Sequence, residues 1–441
     1  MAMVVKNNMS AVNTLNILNR NQSALAKSLQ KVSSGMKIND AGDDASGYAI
    51  SERMRVQIRS LDQDKQNTQN GNSMMKTAEG AVASTVEILK TLKEKAINAA
   101  NDTNTDEDRR TIQKEINQMV DQIDDNALAT YNGKYLVDGS RNSIGTATCT
   151  TLTNSALSTA SAWGSALTSL QSRQNESLNI QSTDNVTISY VRQGRTYTTT
   201  FSVGSQTLTD IIGKTAFNGT DSLKGSDLVG GTTAGAFIGL DKAGNSVYTA
   251  DNKTALSISA AGAGTTYQIS AFTIGISDNT GALRKTANTA LDNFNERIRA
   301  ENKSEDNALV LQTGVKSNQA IKVSMTDMRS LALGMKGTDG SVISVQTQDK
   351  ANAAINSIDS ALQKALDEQA NIGAVQTRLR YTASNLTTQS ENVQNSESTI
   401  RDADMAKEMT EYTKNNVLLQ AAQSMLAQAN QNSSAVLSLL R

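Results

Sequence analysis

The stretch AVNTLNILNRNQSALAKSLQKVSSGM, residues 11–36, carries the pattern that decides the fold. One set of positions in it recurs at alternating steps of four and three residues: Ala11, Leu15, Leu18, Gln22, Leu25, Leu29, Val32 and Met36. All of these except Gln22 are apolar, so the set forms a heptad seam with a single polar interruption. A seam of this kind follows one side of a helix, and it predicts a long helix that packs lengthwise against another helix.

The following segment, residues 35–47, predicts a break after this helix. It contains three glycines, and glycine destabilises helix interiors. The acidic cluster of Asp40, Asp43 and Asp44 lies among them. A calcium loop needs a longer ladder of oxygen ligands that ends in a bidentate glutamate, and this stretch lacks one. We therefore favour a turn that caps the next helix over a metal or acid–base site.

Two more helices are expected before about residue 175, so that residues 1–175 read as almost wholly helical. The apolar face of the second helix consists of Ile50, Met54, Ile58, Leu61, Val82, Val86, Leu89 and Ala96. A capping-box variant at residues 105–108 begins the third helix. The seam of the third helix consists of Ile112, Ile116, Met119 and Ile123.

The last part of the chain mirrors the first. Its long seam consists of Ile358, Leu362, Ala365, Gln369, Ile372, Gln376, Leu379, Ala383, Leu386, Ser390, Val393, Glu397 and Ile400. A final helix carries Leu418, Ala422, Met425, Ala429, Asn432, Val436 and Leu439. The long seam is interrupted by amides, a hydroxyl and an acid, so it is weak alone, and we expect neighbouring chains to complete its burial.

Residues 176–284 change in pattern and predict a β-rich insertion. Apolar and polar residues alternate on both sides of Gln193-Gly194, which is the signature of a β-hairpin, and a second hairpin is predicted around Gly314. The expected fold class is mainly α with a β-rich central insertion, with long antiparallel helices and a coiled coil of the paired N- and C-termini. The expected domains are a terminal coiled-coil domain (1–45 with 400–441), a helical inner domain with a β-hairpin (46–175 with 285–399) and a β-rich domain (176–284).

Composition excludes several classes of function. The 441 residues include 42 basic and 43 acidic ones, and a net charge of -1 does not favour a nucleic acid partner. The chain has no histidine and only one cysteine, Cys149, which removes histidine- and cysteine-based catalytic and metal sites. No apolar run approaches the 18 or so residues of a membrane span, so no membrane insertion is expected. We expect no catalytic residue, cofactor or metal, and an enzyme borne on the insertion is the third alternative.

Both ends of the chain resemble bacterial flagellin. The N-terminal match is centred on SSGMKINDAGDDASG, residues 33–47, where the family passes from its terminal to its inner helical domain. The C-terminal matches are NIGAVQ (371–376), IRDADMA (400–406), MLAQANQ (425–431) and VLSLLR (436–441). The insertion does not carry the resemblance. A related hook–filament junction or cap-adjacent protein, which shares helical termini, is the second alternative.

The resemblance implies a structural subunit that polymerises into the flagellar filament for swimming motility. It implies secretion through the flagellar export apparatus with an export chaperone, without a cleaved signal peptide, and contacts with the filament cap and hook-junction proteins. The start of the chain fits this, since it lacks the apolar segment of a secretory signal. The residues expected to pack in the filament core are Leu15, Leu18, Leu25, Leu29, Val32, Leu418, Met425, Val436 and Leu439.

The resemblance also implies that a host Toll-like receptor binds one helix, residues 89–98 (LKTLKEKAIN). The receptor-facing residues would be Leu89, Lys90, Thr91, Lys93, Glu94 and Ile97. Strongly sensed flagellins have arginine where this chain has Thr91 and leucine where it has Lys95. Arginine and apolar anchors often dominate interface energy, so the resemblance implies weak activation.

Overall fold

A computed structural model of the chain describes residues 8–213, 228–230, 237–249 and 251–439. The chain divides into two compact units. The first consists of Met1–Thr68, Gln312–Gln319 and Tyr381–Arg441, and the second of Gln69–Leu311 and Ala320–Arg380.

Helices dominate both ends of the sequence, and strands dominate its middle. The helices are α1 (Met9–Ser34), α2 (Ala45–Ala100), α3 (Asp106–Ala127), α4 (Leu208–Gly213), α5 (Lys285–Leu291), α6 (Gln348–Arg401) and α7 (Met405–Leu439). The strands are β1 (Thr130–Tyr131), β2 (Lys134–Tyr135), β3 (Thr151–Asn154), β4 (Asn185–Arg192), β5 (Arg195–Ser202), β6 (Leu228–Gly230), β7 (Phe237–Leu240), β8 (Ser246–Tyr248), β9 (Leu256–Ala260), β10 (Ile269–Ser277), β11 (Phe294–Ile298), β12 (Leu309–Gln312) and β13 (Ala320–Val323). The predicted fold class, mainly α with a β-rich central insertion, is confirmed.

The end of α1 and the start of α3 lie where the sequence predicts them. Helix α1 begins after Asn8, whose side chain accepts a hydrogen bond from the backbone N–H of Ala11. It ends at Gly35, whose φ of 71° is left-handed and suits a residue without Cβ. Helix α3 begins with a capping box in which Thr105 and Asp108 satisfy each other's backbone N–H groups.

The helical core of the second unit uses the apolar faces predicted for α2, α3 and α6. Its completely or almost completely buried side chains include Val82, Val86, Leu89, Ala96, Ile116, Ile123, Ile358, Ala365, Ile372 and Leu379. Burial of one such large aliphatic side chain typically contributes about 1.5–3 kcal/mol. This core therefore stabilises the unit without help from another chain.

The expectation that residues 1–175 are almost wholly helical is wrong beyond α3. After Ala127 the chain forms the β1–β2 hairpin and then strand β3. The sequence around β3, TATCTTLTN at residues 146–154, is rich in threonine. Threonine loses side-chain freedom in a helix and packs well on a pleated sheet, so this composition favours a strand.

The insertion contains two larger antiparallel sheets, with strand orders β10–β4–β5 and β11–β3–β9–β6. The predicted hairpin is confirmed as β4–β5, where Tyr190 pairs with Tyr197. Its turn residues Gln193 (φ 49°) and Gly194 (φ 70°) are both left-handed, as a tight hairpin turn requires. The hairpin predicted around Gly314 is also present, as β12–β13. One apolar core in the insertion includes Leu152, Leu157, Trp163, Leu167, Tyr190, Ile258, Phe272 and Leu291.

The insertion begins and ends at adjacent positions. Gly145 and Ser304 donate backbone hydrogen bonds to each other, both of 3.1 Å, and the Thr148 N–H donates to the Glu301 carbonyl at 3.0 Å. The β structure and its core therefore extend on both sides beyond residues 176–284. Strands β3 and β11 lie outside residues 176–284, and neither has the regular alternation by which a strand is recognised in a sequence.

Candidate functional site

Helices α1 and α7 of the first unit form an antiparallel pair. Asn21 Nδ2 donates to the Leu418 carbonyl at 3.2 Å, and Asn415 Nδ2 donates to Ser28 Oγ at 3.0 Å. Near the other end of the pair, Asn8 Nδ2 donates to the Ala429 carbonyl at 3.3 Å. Residue numbers rise on one helix as they fall on the other, which is the antiparallel arrangement that the sequence predicts for the two ends.

The seam predicted on α1 divides into two stripes. Ala11, Leu18, Leu25 and Val32, spaced by seven residues, are half-buried within the chain. Leu15 and Leu29 are 45% and 52% exposed, respectively. In their place, Thr14, Asn21 and Ser28 are half-buried or buried, and Asn21 and Ser28 form hydrogen bonds with α7.

Helix α7 divides in the same way. Ala422 is 6% exposed, whereas Leu418 and Met425 are 43% and 62% exposed, respectively. The side chains of Val436 and Leu439 lie outside the described part of the structure. Among the predicted packing residues, Leu15, Leu29, Leu418 and Met425 thus form an exposed apolar set, which we call the outer stripe.

Sequence reasoning missed the polar half of the inner seam. A set with steps of three and four can be drawn through Leu15 and Leu29 or through Thr14 and Ser28, with Leu18, Leu25 and Val32 shared by both. Hydrophobicity favours the first set. A signal for the second was the presence of small polar residues at seven-residue intervals: Thr14, Asn21 and Ser28.

A short segment on each side joins the helix pair to the helices that follow and precede it. The Lys37 N–H donates to the Arg401 carbonyl at 2.8 Å, and the Ala403 N–H donates to the Gly35 carbonyl at 2.9 Å. Met36 and Asp402 form an isolated antiparallel β-bridge. We call residues 35–37 and 401–403 the joint.

Arg401 is buried at the joint, with 7% of its side chain exposed. Its Nη1 lies 2.6 Å from Glu52 Oε1, and its guanidinium carbon lies 5.4 Å from the centre of the Tyr48 ring. The hydrogen bond from Arg401 is the main reason why the pKa of the Glu52 carboxyl is lowered below its ordinary value of 4.5. A buried guanidinium thus ties the end of α6 to the first turns of α2.

The acidic cluster 40–44 caps a helix. Asp44 Oδ1 accepts hydrogen bonds of 3.0 Å from the N–H groups of both Ser46 and Gly47, at the start of α2. Asp43 accepts from the Asn39 N–H at 3.1 Å, and this bond lowers the pKa of the Asp43 carboxyl. Across the described residues, no group of three or more acidic or cysteine side chains is arranged to hold a metal ion.

Part of the predicted receptor-facing helix is exposed and part is not. Leu89 is completely buried, so the expectation that it belongs to the exposed surface is wrong. Its place on α2 faces the core, at heptad-like spacing from other buried residues. Lys90, Glu94 and Ile97 are exposed and Thr91 is partly exposed, and Ile97 keeps 51% of its surface.

Two of the three lysines of that segment, Lys93 and Lys95, are tied to neighbouring helices, whereas Lys90 pairs with Glu87 on the same helix. Lys93 Nζ lies 2.6 Å from Asp359 Oδ1 on α6, and Lys95 Nζ lies 2.6 Å from Glu115 Oε2 on α3. These pairs are partly exposed, so each contributes little to stability. The two ion pairs do hold the ammonium groups of Lys93 and Lys95 beside α6 and α3.

A buried charged cluster in the second unit contains two carboxyl groups, those of Glu296 and Glu368, and the amine of Lys364. Burial raises the pKa values of Glu296 and Glu368 and lowers that of Lys364. Lys364 Nζ donates to the Ala332 carbonyl at 2.6 Å, and Glu368 accepts a hydrogen bond from the Thr326 hydroxyl. These bonds tie Lys364 and Glu368 to neighbouring parts of the second unit.

Within the described part of the chain, no helix is apolar over a stretch long enough to cross a bilayer. What distinguishes the chain is an antiparallel pair of terminal helices with a partly polar inner seam and an exposed apolar outer stripe. That arrangement defines a class of structural subunit whose terminal helices are left with apolar surface for other chains to cover.

Comparison with known proteins gives the family. Residues 5–142 match the bacterial flagellin N-terminal helical region, and residues 355–440 match the bacterial flagellin C-terminal helical region. A flagellin of Clostridium tyrobutyricum is 36% identical, over 97% of this chain and 99% of its own length. A flagellin of Bacillus subtilis is 29% identical over the full length of both chains. The chain belongs to the bacterial flagellin family, a family of structural proteins that form flagellar filaments.

Proposed function

We propose that the chain polymerises with copies of itself into a flagellar filament through the outer stripe of α1 and α7. The observation that supports this most directly is the exposure of Leu15, Leu29, Leu418 and Met425 on helices that are already paired along another face. An apolar stripe that a folded subunit leaves open is typical of a surface that another copy covers.

The free energy of burial supports assembly through the outer stripe. Full burial of a large aliphatic side chain contributes about 1.5–3 kcal/mol, so covering four half-exposed ones supplies several kcal/mol per subunit. The inner seam alone contains half-buried leucines alternating with polar residues, which is weak support for helices of 26 and 35 residues. We infer that assembly adds several kcal/mol of stability to terminal helices that are already paired in the subunit.

The test compares filament growth from parent seeds for two matched pairs of substitutions. Leu29→Ala with Met425→Ala shortens the outer stripe, and Leu128→Ala with Leu283→Ala removes side chains that are 54% and 68% exposed elsewhere. The first pair should slow elongation at least tenfold and the second less than twofold. Equal growth of both would rule out the outer stripe as the assembly surface.

The proposed function also implies a role for each domain and a location for the protein. The terminal pair (1–45 with 400–441) is proposed as the filament-core domain, the helical core as the inner domain, and the insertion as the surface domain. We further propose export through the flagellar apparatus with a chaperone, without a cleaved signal peptide, and contacts with cap and hook-junction proteins. In a flagellin-null strain the intact chain should be recovered from sheared filaments, starting at its own first residues. Retention in the cytoplasm by a strain whose export apparatus is active would contradict this.

A second proposed function is weak binding of the host Toll-like receptor through the exposed side of residues 90–97. Lys90, Glu94 and Ile97 supply a mixed polar and apolar surface there. Thr91 directs its hydroxyl to the Glu87 carbonyl at 3.0 Å, and Lys95 is paired with Glu115. Neither side chain therefore offers the planar donor or the apolar anchor that a tight interface favours.

Reporter cells would test this with the double substitution Thr91→Arg and Lys95→Leu. Each restored central contact is typically worth about 1–3 kcal/mol, so activation at limiting dose should rise tenfold or more. The matched control is Thr111→Arg with Lys114→Leu, which makes the same changes on α3. Equal potency of parent and test variant would show that this helix does not determine the response.

A further inference from the structure

The inner seam of α1 and α7 cannot select its own register. Leu18, Leu25 and Val32 repeat every seven residues, and the half-buried Leu419 and Leu426 on α7 do the same. A slip of seven residues therefore places similar apolar side chains opposite one another again. Such a slip moves one helix along the other by about 10 Å, at about 1.5 Å per residue.

The polar contacts along the pair discriminate only weakly between these registers. Asn21 donates to a main-chain carbonyl, and every turn of α7 offers one. Asn415 meets Ser28, but one of the slipped registers would place it opposite Asn21, another hydrogen-bonding side chain. The Lys31–Glu408 pair, at 3.8 Å, is long and partly exposed, so it adds little.

The joint is different, because its main-chain bonds exist in a single register. Gly35 ends α1 and accepts from the Ala403 N–H, two residues before α7 begins. Gly35 directly follows α1, and Ala403 lies two residues before α7, so no spare chain lies between either helix and the joint. A seven-residue slip must therefore break the joint. The helix pair keeps its register for as long as residues 401–403 stay against residues 35–37.

Arg401 is the side chain that holds the joint closed. It is buried, it pairs with Glu52 at 2.6 Å, it lies over the Tyr48 ring, and its Nε donates to the Met36 sulfur at 3.1 Å. These contacts reach α2 and the segment that follows α1 at once. Removal of the guanidinium would leave Glu52 with Arg55 alone, at 3.2 Å on the exposed surface. The joint would keep its few main-chain bonds and the exposed hydrogen bond from Lys37 Nζ to the Thr399 carbonyl, at 3.1 Å.

We propose that Arg401 is a positioning residue for assembly, which clamps the joint and so sets the antiparallel register of α1 and α7 before another subunit binds. The register decides whether Leu15 and Leu29 align with Leu418 and Met425 into one outer stripe. The inference rests on the proposed assembly function, and it adds the residue that makes the assembly surface correct.

The experiment measures register directly, in a Cys149→Ser background. Spin labels on cysteines at the exposed positions Asn19 and Gln423 report the distance between α1 and α7 by pulsed electron paramagnetic resonance. Samples are frozen just after sulfate is added, before elongation, because sulfate strengthens the burial of apolar surface. Arg401→Gln is the test variant, Arg401→Lys the conservative one, and Arg55→Gln the control, since Arg55 shares the same Glu52 oxygen. Elongation from parent seeds is measured for the unlabelled variants.

The parent and Arg55→Gln should give one narrow distance and growth rates within twofold of each other. Arg401→Gln should add a second population displaced by several Å and slow elongation at least tenfold, and Arg401→Lys should lie between. A single parent-like distance in Arg401→Gln, at any growth rate, would overturn the clamp, and so would a broad distribution in the parent. Failure of the parent itself to elongate seeds would count against the assembly function. The distance measurement would still test whether Arg401 sets the register.

Discussion

The terminal helix pair and the helical core of the second unit share one hydrophobic period but differ in burial. In the second unit, Met75, Leu89, Leu92 and Ile116 are completely buried. In the helix pair, the leucines of the inner seam are half-buried, and Leu29 is 52% exposed. A heptad pattern thus predicts a packed helix face but does not say whether the partner is in the same chain. Perturbations of the two regions should reveal this contrast, and removal of the insertion has the largest expected effect.

Excision of the insertion should leave the helix pair and the helical core intact, provided that the cut removes the whole β structure. Joining Gly145 directly to Ser304 connects residues that already exchange two hydrogen bonds, so the helical core and filament growth should survive. Excision of residues 180–280 instead removes β4 and β10 but leaves Leu152, Leu157 and Leu167 without their core. That variant should aggregate. Solubility, circular dichroism and seeded growth distinguish the two variants. If only the variant without residues 180–280 is soluble, folded and able to grow, the insertion is not bounded by Gly145 and Ser304.

Hydrogen exchange on the free monomer should show the contrast amide by amide. Amides of α2 between residues 82 and 99 should be protected up to the free energy of global unfolding, about 5–15 kcal/mol for a typical domain. Amides of α1 and α7 should exchange at least 10⁴-fold faster, because their seam is half open, and should become protected in filaments. Mass spectrometry of peptides from both regions measures this. Comparable protection in the monomer would mean that the terminal pair is stable alone.

Matched leucine truncations should differ by several kcal/mol in the monomer. Leu89→Ala removes a completely buried side chain and should lower the free energy of unfolding of the second unit by about 2–5 kcal/mol. Leu29→Ala removes an exposed one and should change the free energy by less than about 0.5 kcal/mol. Urea unfolding followed by circular dichroism gives both values. A large loss from Leu29→Ala would place that residue in an intrachain core.

The stability of the second unit and that of the joint should change in opposite directions with pH. This is the smallest of the expected effects. Burial raises the pKa of Glu368 above its ordinary 4.5, so the folded second unit binds a proton more tightly than the unfolded chain and loses stability as pH rises from that value. At the joint, the pKa of Glu52 is lowered, so its contribution is present above 4.5 and is lost as pH falls through the lowered pKa.

Glu368→Gln should therefore raise the urea midpoint of the second unit at pH 8 more than at pH 5. The exposed Glu305→Gln is the matched control and should leave the midpoint nearly constant at both pH values. An equal shift at pH 5 and pH 8 would show that the carboxyl charge does not oppose folding.

The sequence alone was enough to predict the long helices, the break that begins at Gly35, the capping box at Thr105 and the turn at Gln193-Gly194. These features depend on residues close together in the chain, through periodicity, capping and left-handed backbone. The family resemblance was readable from the same ends. The start of the β region was not predicted, because strands of four or five residues rich in threonine and serine show no clear alternation.

Only the tertiary structure decided which side of each terminal helix faces its partner. The choice between the Leu15–Leu29 and the Thr14–Ser28 sets depends on the opposing helix, where Asn415 meets Ser28 and Ala422 is buried. The contacts of Arg401 with Glu52 and Tyr48 were likewise not predictable, because these residues lie about 350 residues away in the chain. Periodicity is a property of one helix, whereas register and burial are properties of a pair, so they are determined only once both helices are in place.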